Sequence, residues 1–382
     1  MKVLIGMTRS DTTLSGSFTH ICQTGEAFRA RGAEVVYVLG GQGPANERLR
    51  QAGFKVHELP QLHRELRPLR DVLVLLQLMW LLVKERPQVT SWHTAKIGAL
   101  GRVAAMLTLR RAYYVAHGVP FVNTPQNSGY KLYERLERLL AWLPARIICV
   151  CRFDFNEYRR IGVGADKLMT IPNGMNGIDT SGALSDAASG SRPLRFVTAA
   201  RFETQKDYVT LAAACRRLTD AGLRFELHIF GNGSQEAQVR QLMAGLPDGT
   251  IHFRGVVDNF AAQLTEHDVF VLCSHWEGLP RSIIEAMACG RPVIASDVGG
   301  VSELIESGRN GELIGQGDAG AFASAMRRYI EQPALCRAHG EHSRRKYQAD
   351  YTLDVMLSRY CAEYLGAPLP AASPVSQAKQ GA

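Results

Sequence analysis

A chain of 382 residues, 46% hydrophobic and 21% charged, is globular and long enough to bury substantial cores, which favours two domains over one. Its formal net charge of +8, from 44 basic against 36 acidic residues, favours acidic partners such as nucleotides, phospholipid surfaces or nucleic acid without choosing among them. The eight cysteines are scattered, with no C-x-x-C pair and no zinc-spaced His cluster, so neither a disulfide framework nor a metal site is suggested and a reducing cytosol fits best.

The N-terminus MKVLIGMTRSD runs straight into a strand-like segment and a polar loop. It lacks the apolar stretch and cleavage site of a secretory signal, so the chain is expected to stay inside the cell. KVLIG (2–6) predicts a strand, SFTHICQTGEAFRARG a helix and EVVYVLG a second strand. The longest apolar run, VLVLLQLMWLLV from Val72 to Val83, falls short of the ~20 residues that cross a bilayer and is interrupted by Gln77. It predicts a core helix, with an interfacial helix as the alternative. QVTSWH, YYVAHG and RIICV continue the alternation, which implies a parallel sheet covered on both faces.

At 176–193, NGIDTSGALSDAASGSRP, small and polar residues crowd out large apolar ones, predicting a linker between a domain over 1–175 and one over 194–350. The rhythm resumes with LRFVTAA (194–200), a helix near Asp207 to Ala221, FELHIFG (225–231), TIHFRG, DVFVLC and PVIAS, so a second doubly wound domain follows. Helical patterns return near Ala319 to Ile330 and Pro333 to Tyr364. Residues 351–366 are expected as a C-terminal helix packing back on the first domain, and 367–382, too poor in large apolar residues to fold, as a disordered tail. No internal repeat is visible, and no basic stripe with interleaved aromatics suggests a nucleic-acid face.

The densest chemistry lies in HWEGLPRSIIEAMACGRPVIASDVGG, His275 to Gly300. Glu285 has a structural reading: Ser282-Ile283-Ile284-Glu285 fits a capping box, and Arg281 could pair with Glu285 at i,i+4. Neither feature explains Glu277, nor the Gly-Leu-Pro before the helix, where Gly permits close backbone approach and Pro suits the first turn. Free N–H groups at a helix start bind phosphate, and a carboxylate beside them accepts hydrogen bonds from vicinal hydroxyls. Phosphate with a diol means a nucleotide or a sugar.

E-G-L-P-x-x-x-x-E followed by A-M-A-C-G-x-P-V-I-A-x-D-V-G-G closely resembles the signature of retaining glycosyltransferases of family 4. The resemblance implies an α/β chain with the GT-B fold: two facing Rossmann-like doubly wound domains with a C-terminal helical segment. It makes Glu285 the ribose ligand and Glu277 the donor-sugar ligand, with the amides of Gly278 and Leu279 on sugar and diphosphate. AARFETQKD resembles G-R-L-x-x-x-K-G and supplies Arg201 and Lys206, two cations that would offset leaving-group charge. It departs in having Ala200 and Asp207 where glycines are usual, and a solvated charged loop is the plain alternative. Gly16, in Ser15-Gly16-Ser17, would let the backbone approach the diphosphate, although a helix cap by Ser15 or Ser17 explains the segment equally. His117, in YYVAHGVPF, reads as structural by itself; the resemblance assigns it to sugar orientation and oxocarbenium-side electrostatics. FGNGSQE offers Gly231 and Gly233 but has Glu236 where a dinucleotide fingerprint needs its third glycine, which disfavours a dehydrogenase and leaves Gly231 as a donor-binding candidate. Asn173-Gly174 matches the family's interdomain strand end or a plain turn.

The implied activity is metal-independent transfer of a sugar, with retention, from a nucleotide diphosphate sugar, UDP-sugar favoured. The acceptor is a glycan or a polyprenyl-diphosphate-linked chain of bacterial capsule, exopolysaccharide or O-antigen. No cofactor is expected beyond this co-substrate, no protein nucleophile is identified, and cleft closure would exclude water. A nucleotide-sugar 2-epimerase of the same fold is disfavoured because the E-x7-E signature belongs to the transferases. The intact Arg201, Lys206 and both glutamates argue against a silent sugar-nucleotide-binding scaffold. Arg67, Arg70, Lys84 and Arg86 around the apolar run, with the Lys131 to Arg146 segment, raise the expectation of a cytoplasmic protein that touches an anionic membrane surface peripherally; a wholly buried run with solubilising charges is the alternative.

Overall fold

The computed structural model describes residues 1–11, 15–63, 65–121, 129–143, 145–177 and 192–366. The expected tail and most of the expected linker, 178–191, lie outside these described residues. The chain forms two units: Met1–Asn173 with the segment that begins at Asp354, and Gly174–Leu353.

In the first unit, β1 (Lys2–Met7), β2 (Glu34–Gly40), β3 (Lys55–Leu59), β4 (Val89–His93), β5 (Arg111–Ala116), β6 (Ala145–Cys149) and β7 (Leu168–Thr170) form one sheet in the order β3-β2-β1-β4-β5-β6-β7. Every pairing in it is parallel. In the second, β8 (Leu194–Ala199), β9 (Phe225–Phe230), β10 (Ile251–Gly255), β11 (Val269–Leu272), β12 (Val293–Ser296) and β13 (Gly311–Ile314) are likewise parallel, in the order β10-β9-β8-β11-β12-β13. Helices cover both faces, which is why the central strands read as continuous apolar runs. Strand order reverses between β1 and β4, and again between β8 and β11. Each reversal opens a crevice at the carboxyl ends of the two strands, where sheets of this kind bind ligands.

β3, β7 and β13 go beyond the strands expected from sequence. β3 (KVHEL) and β7 (LMT) are edge strands, so solvent tolerates polar residues or so short a run; β13 (GELI) is also at an edge.

The run expected as a core helix becomes the helix Pro68–Glu85, but only one of its faces is core. Val74, Leu78, Leu81 and Leu82 are buried against the sheet, whereas Leu73, Leu76 and Trp80 are exposed. The sequence is apolar around most of the helix, and a sheet can cover only one side of it. Farther on, the helical pattern from Pro333 to Tyr364 divides into Ala334–Asp350 and Leu353–Leu365. At the break Met175 N donates to Tyr351 O at 3.0 Å and Leu353 N donates to Met175 O at 2.8 Å, replacing helical hydrogen bonds. The later turns then join the first unit, where Tyr364 stacks on Tyr113 at 4.2 Å between centroids and Glu363 accepts from the Tyr113 hydroxyl at 2.6 Å.

Glu85 anchors the end of the Pro68–Glu85 helix, its buried carboxylate meeting Lys55 Nζ at 2.7 Å, His57 Nε2 at 2.8 Å and Lys2 Nζ at 3.4 Å. Burial alone would raise its pKa, but Lys55, His57 and Lys2 together bring it down to about 2 from an ordinary 4.5. A depressed carboxyl stabilises the fold above the unfolded value, and that contribution drains away as pH falls towards the folded one. Urea unfolding from pH 5 to about 2 should therefore show a steep loss of stability in the wild type and a shallower one in Glu85→Gln.

Candidate functional site

The crevice of the second unit is built from the loops after β8 and β11. After β8 the chain passes Ala200 and Arg201 to a 3-10 turn, Thr204–Lys206, and Asp207 caps the helix Tyr208–Asp220. Asp207 adopts φ 34, the left-handed region that glycine enters freely. Its carboxylate accepts from Thr210 N at 3.2 Å and Thr210 Oγ1 at 2.6 Å, so a side-chain cap offsets the strain that a usual glycine would avoid.

The loop after β11 is zipped to this segment. His275 N donates to Gln205 O at 2.8 Å, and Gln205 Nε2 donates to Trp276 O at 2.8 Å. These contacts bring two predicted site residues together: Lys206 Nζ meets Glu277 Oε1 at 2.5 Å, and Ser274 Oγ donates to the same oxygen at 2.7 Å. Side-chain exposures of 14% for Lys206 and 7% for Glu277 make this a largely desolvated ion pair. Two glycines hold the loops from behind. At Gly299, φ 56, a Cβ would lie 1.9 Å from the Glu277 carbonyl oxygen, and Gly300 N donates to Gly278 O at 2.9 Å. At Gly231, φ 136, a Cβ would lie 2.1 Å from Ala200 O, so Gly231 supports the β8 loop through its backbone.

The helix Arg281–Ala288 starts beside the ion pair, with Pro280 as its N-cap and no side-chain capping bond. Ser282 is thus inside the helix, and the capping box that would have explained Glu285 does not form. The carboxylate of Glu285 is half-buried and has no hydrogen-bond partner among the described residues; burial raises its pKa, opposed by the charge of Arg281. Arg281 makes no contact ion pair with it among the described residues. Its Nη1 and Nη2 are buried without hydrogen-bond partners among the described residues, and burial lowers its pKa against the pull of Glu285. Opposite charges with unused hydrogen-bonding capacity therefore follow the Gly278-Leu279-Pro280 turn within the first five residues of one helix, whose first N–H groups have no intrahelical acceptor. That arrangement can hold an anion and a hydroxyl-bearing group side by side. Arg201 is exposed and pairs with Glu203 at 2.8 Å rather than with the Lys206–Glu277 pair.

In the first unit, His117 follows β5 and is half-buried. Its Nε2 lies 3.0 Å from His93 Nδ1, His93 Nε2 lies 3.0 Å from Ser91 Oγ, and Ser91 Oγ lies 2.8 Å from the Tyr364 hydroxyl. Burial pushes the pKa of His93 far down, with the charge of His117 adding to the shift. Next to it Thr94 has φ 77, a strained conformation for a β-branched residue, and its Oγ1 is 2.7 Å from Thr8 Oγ1. Gly16 is the exposed first residue of the helix Gly16–Ala30, and Ser15 caps that helix by accepting from Phe18 N at 3.2 Å. The sequence reading missed His93, Gln205, Ser274 and Gly299, whose roles depend on which strands become neighbours.

Among the described residues one group has metal-binding spacing, Glu226, His228 and His252, whose ligand atoms lie within 4.8 Å. Arg195 Nε donates to Glu226 at 2.9 Å, and this guanidinium disfavours a cation there. The group also sits away from the crevice, Glu226 and Arg195 lying near the starts of β9 and β8.

Residues 193–332 match the sequence family described as Glycosyl transferases group 1, and residues 15–174 match the Glycosyl transferase 4-like domain. The chain is 28% identical over 300 residues to the UDP-Gal:alpha-D-GlcNAc-diphosphoundecaprenol alpha-1,3-galactosyltransferase of Escherichia coli, covering 72% of this chain and 75% of that one. It is 34% identical over 186 residues to the amylovoran biosynthesis glycosyltransferase AmsK of Erwinia amylovora, covering 46% and 44% of the two chains. Among solved structures, Anabaena Alr3699/HepE in complex with UDP and glucose superposes with a TM-score of 0.79 at 18% identity, covering 96% of this chain and 100% of that one.

Proposed function

The chain belongs to the group 1 glycosyl transferases and has the GT-B fold, and from that premise we propose a metal-independent, retaining transfer of a sugar from a nucleotide diphosphate sugar, UDP-sugar favoured. The acceptor is a glycan or polyprenyl-diphosphate-linked chain of bacterial cell-surface polysaccharide, met at the cytoplasmic face of the membrane. The observation that carries this reading is the Lys206–Glu277 pair beside a helix start that bears the Arg281 guanidinium, two of whose nitrogens have no partner among the described residues, and the Glu285 carboxylate. In this reading Glu285 takes the ribose hydroxyls, the turn at Gly278 and Leu279 takes the diphosphate, Lys206 and Arg201 offset the leaving charge, and Glu277 and His117 face the sugar. Glu277 already accepts from Lys206 and Ser274, which lowers its nucleophilicity and supports a ligand role over a covalent one. The names of the Escherichia coli relative and the Anabaena complex, one with UDP-Gal and a diphosphoundecaprenol acceptor and the other with UDP, support the choices of nucleotide and acceptor class.

A thermal-shift panel of UDP-, GDP-, ADP- and dTDP-sugars in EDTA tests it, because a ligand at 100 times its Kd stabilises the fold by about 2.7 kcal/mol. UDP and one UDP-sugar should raise the Tm without a divalent cation. No shift from any nucleotide would overturn the donor assignment, and a shift that requires a metal would overturn metal independence.

A further inference from the structure

We infer that the outward face of the helix Pro68–Glu85 is a docking surface for an anionic phospholipid bilayer. Leu69, Val72, Leu73, Leu76, Trp80 and Val83 fall at i, i+3, i+4, i+7, i+11 and i+14, the spacing of a single helical stripe. Each is more than half exposed, Leu69 at 86%, so this is a continuous apolar face and not scattered surface residues. The opposite face, with Val74, Leu78, Leu81 and Leu82, is committed to the core. The helix therefore cannot leave the fold to span a bilayer, and no helix among the described residues is long and apolar enough to do so. Its geometry is that of a helix lying in the plane of the interface.

Charge selects the partner. Arg67 and Arg70 are exposed at one end of the stripe, Lys84 and Arg86 at the other. The helix's two acids are engaged elsewhere: Asp71 pairs with Lys96 at 2.7 Å, and Glu85 is buried among Lys55, His57 and Lys2. Exposed Glu65 meets Arg67 at 3.6 Å and offsets one cation only. Lys84 Nζ stands 4.5 Å above the Trp80 ring, which places an amphipathic ring and a cation together at the edge of the stripe. A second copy docked through this stripe would set cations against cations whether the two helices ran parallel or antiparallel, whereas anionic headgroups complement both ends at once. Such docking would hold the first unit where a lipid-linked acceptor resides; that consequence rests on the proposed function, while the docking itself does not.

The test is sedimentation with vesicles of phosphatidylcholine alone and of phosphatidylcholine mixed with phosphatidylglycerol, at low and high salt. Wild-type protein should sediment with the anionic vesicles, and salt should release it. Leu76→Glu, at an exposed position that leaves the core intact, should weaken vesicle binding at least roughly tenfold, and Lys84→Ala about fivefold at low salt. The UDP thermal shift of each variant should match wild type, which separates failure of docking from failure of the donor assignment. The inference is overturned if the protein stays in the supernatant with anionic vesicles at low salt, if it binds neutral vesicles equally, or if Leu76→Glu binds as well as wild type. Light scattering that shows a dimer dissociated by Leu76→Glu would assign the stripe to a second copy and overturn it as well.

Discussion

Lys206→Ala should lower turnover roughly 100- to 1,000-fold, the loss typical of removing one preorganised group that stabilises charge developing in a transition state. It should also weaken binding of the bare nucleoside diphosphate, because in the proposed function the same ammonium would face the diphosphate before and after the bond breaks. The complication is Glu277, which the substitution leaves largely buried and without its cation. A double-mutant cycle removes the ambiguity. Glu277→Ala alone frees Lys206, so diphosphate affinity should hold or rise while turnover falls for want of the sugar contact. Lys206→Ala/Glu277→Ala should stay as slow as the worse single variant. If the double variant instead recovers turnover, Lys206 serves only to neutralise Glu277 and the leaving-group role is lost. His117→Ala supplies the contrast: turnover should drop with diphosphate affinity largely intact, since His117 is assigned to the sugar alone. Equal losses of diphosphate binding in the His117 and Lys206 variants would defeat that division of roles.

Much of this site could be read directly because its signals are local in sequence. Glu277 and Glu285 lie on one loop and the helix that follows it, and Lys206 follows a recognisable strand end. What could not be read depends on the order of strands in the sheet. The Gln205 bridge to His275 and Trp276 exists because β8 and β11 are neighbours at the point where strand order reverses, and nothing near Gln205 announces that. His93 hid for a related reason: a histidine at the end of a buried strand looks like a satisfied core residue until β5 brings His117 within 3.0 Å. The Pro68–Glu85 helix shows the opposite failure. Its apolar residues are so dense that periodicity could not tell the face that meets the sheet from the face that meets solvent. Asp207 is a different matter again, a residue that departs from the expected glycine and yet keeps its left-handed backbone through its own capping bonds.

Glu285→Ala should weaken nucleotide binding by about 1.5–3 kcal/mol, the cost of losing a hydrogen bond to a charged group, which is roughly a 10- to 150-fold rise in Kd. The ground for this is a carboxylate that burial has made costly to ionise and that no described donor compensates. A half-buried carboxylate of this kind can exchange solvent for a ligand's hydroxyls on its open side. Two vicinal hydroxyls would serve, one to each oxygen, and Glu285→Gln, which retains an acceptor without the charge, should fall between wild type and Glu285→Ala. The protonation state gives an independent handle. Only the carboxylate accepts from both hydroxyls, so affinity should be complete above its raised pKa and fall as pH drops through it, beginning at a higher pH than for an ordinary glutamate. Calorimetric titration of UDP across that range, in wild type and in Glu285→Gln, should show the pH dependence in the first and lose it in the second. A purely structural Glu285 would behave otherwise: stability would fall, nucleotide affinity in the folded variant would match wild type, and the two titrations would share one pH profile. Since the helix opens on Pro280 and Arg281 with Ser282 already inside it, no capping bond is available to produce that outcome.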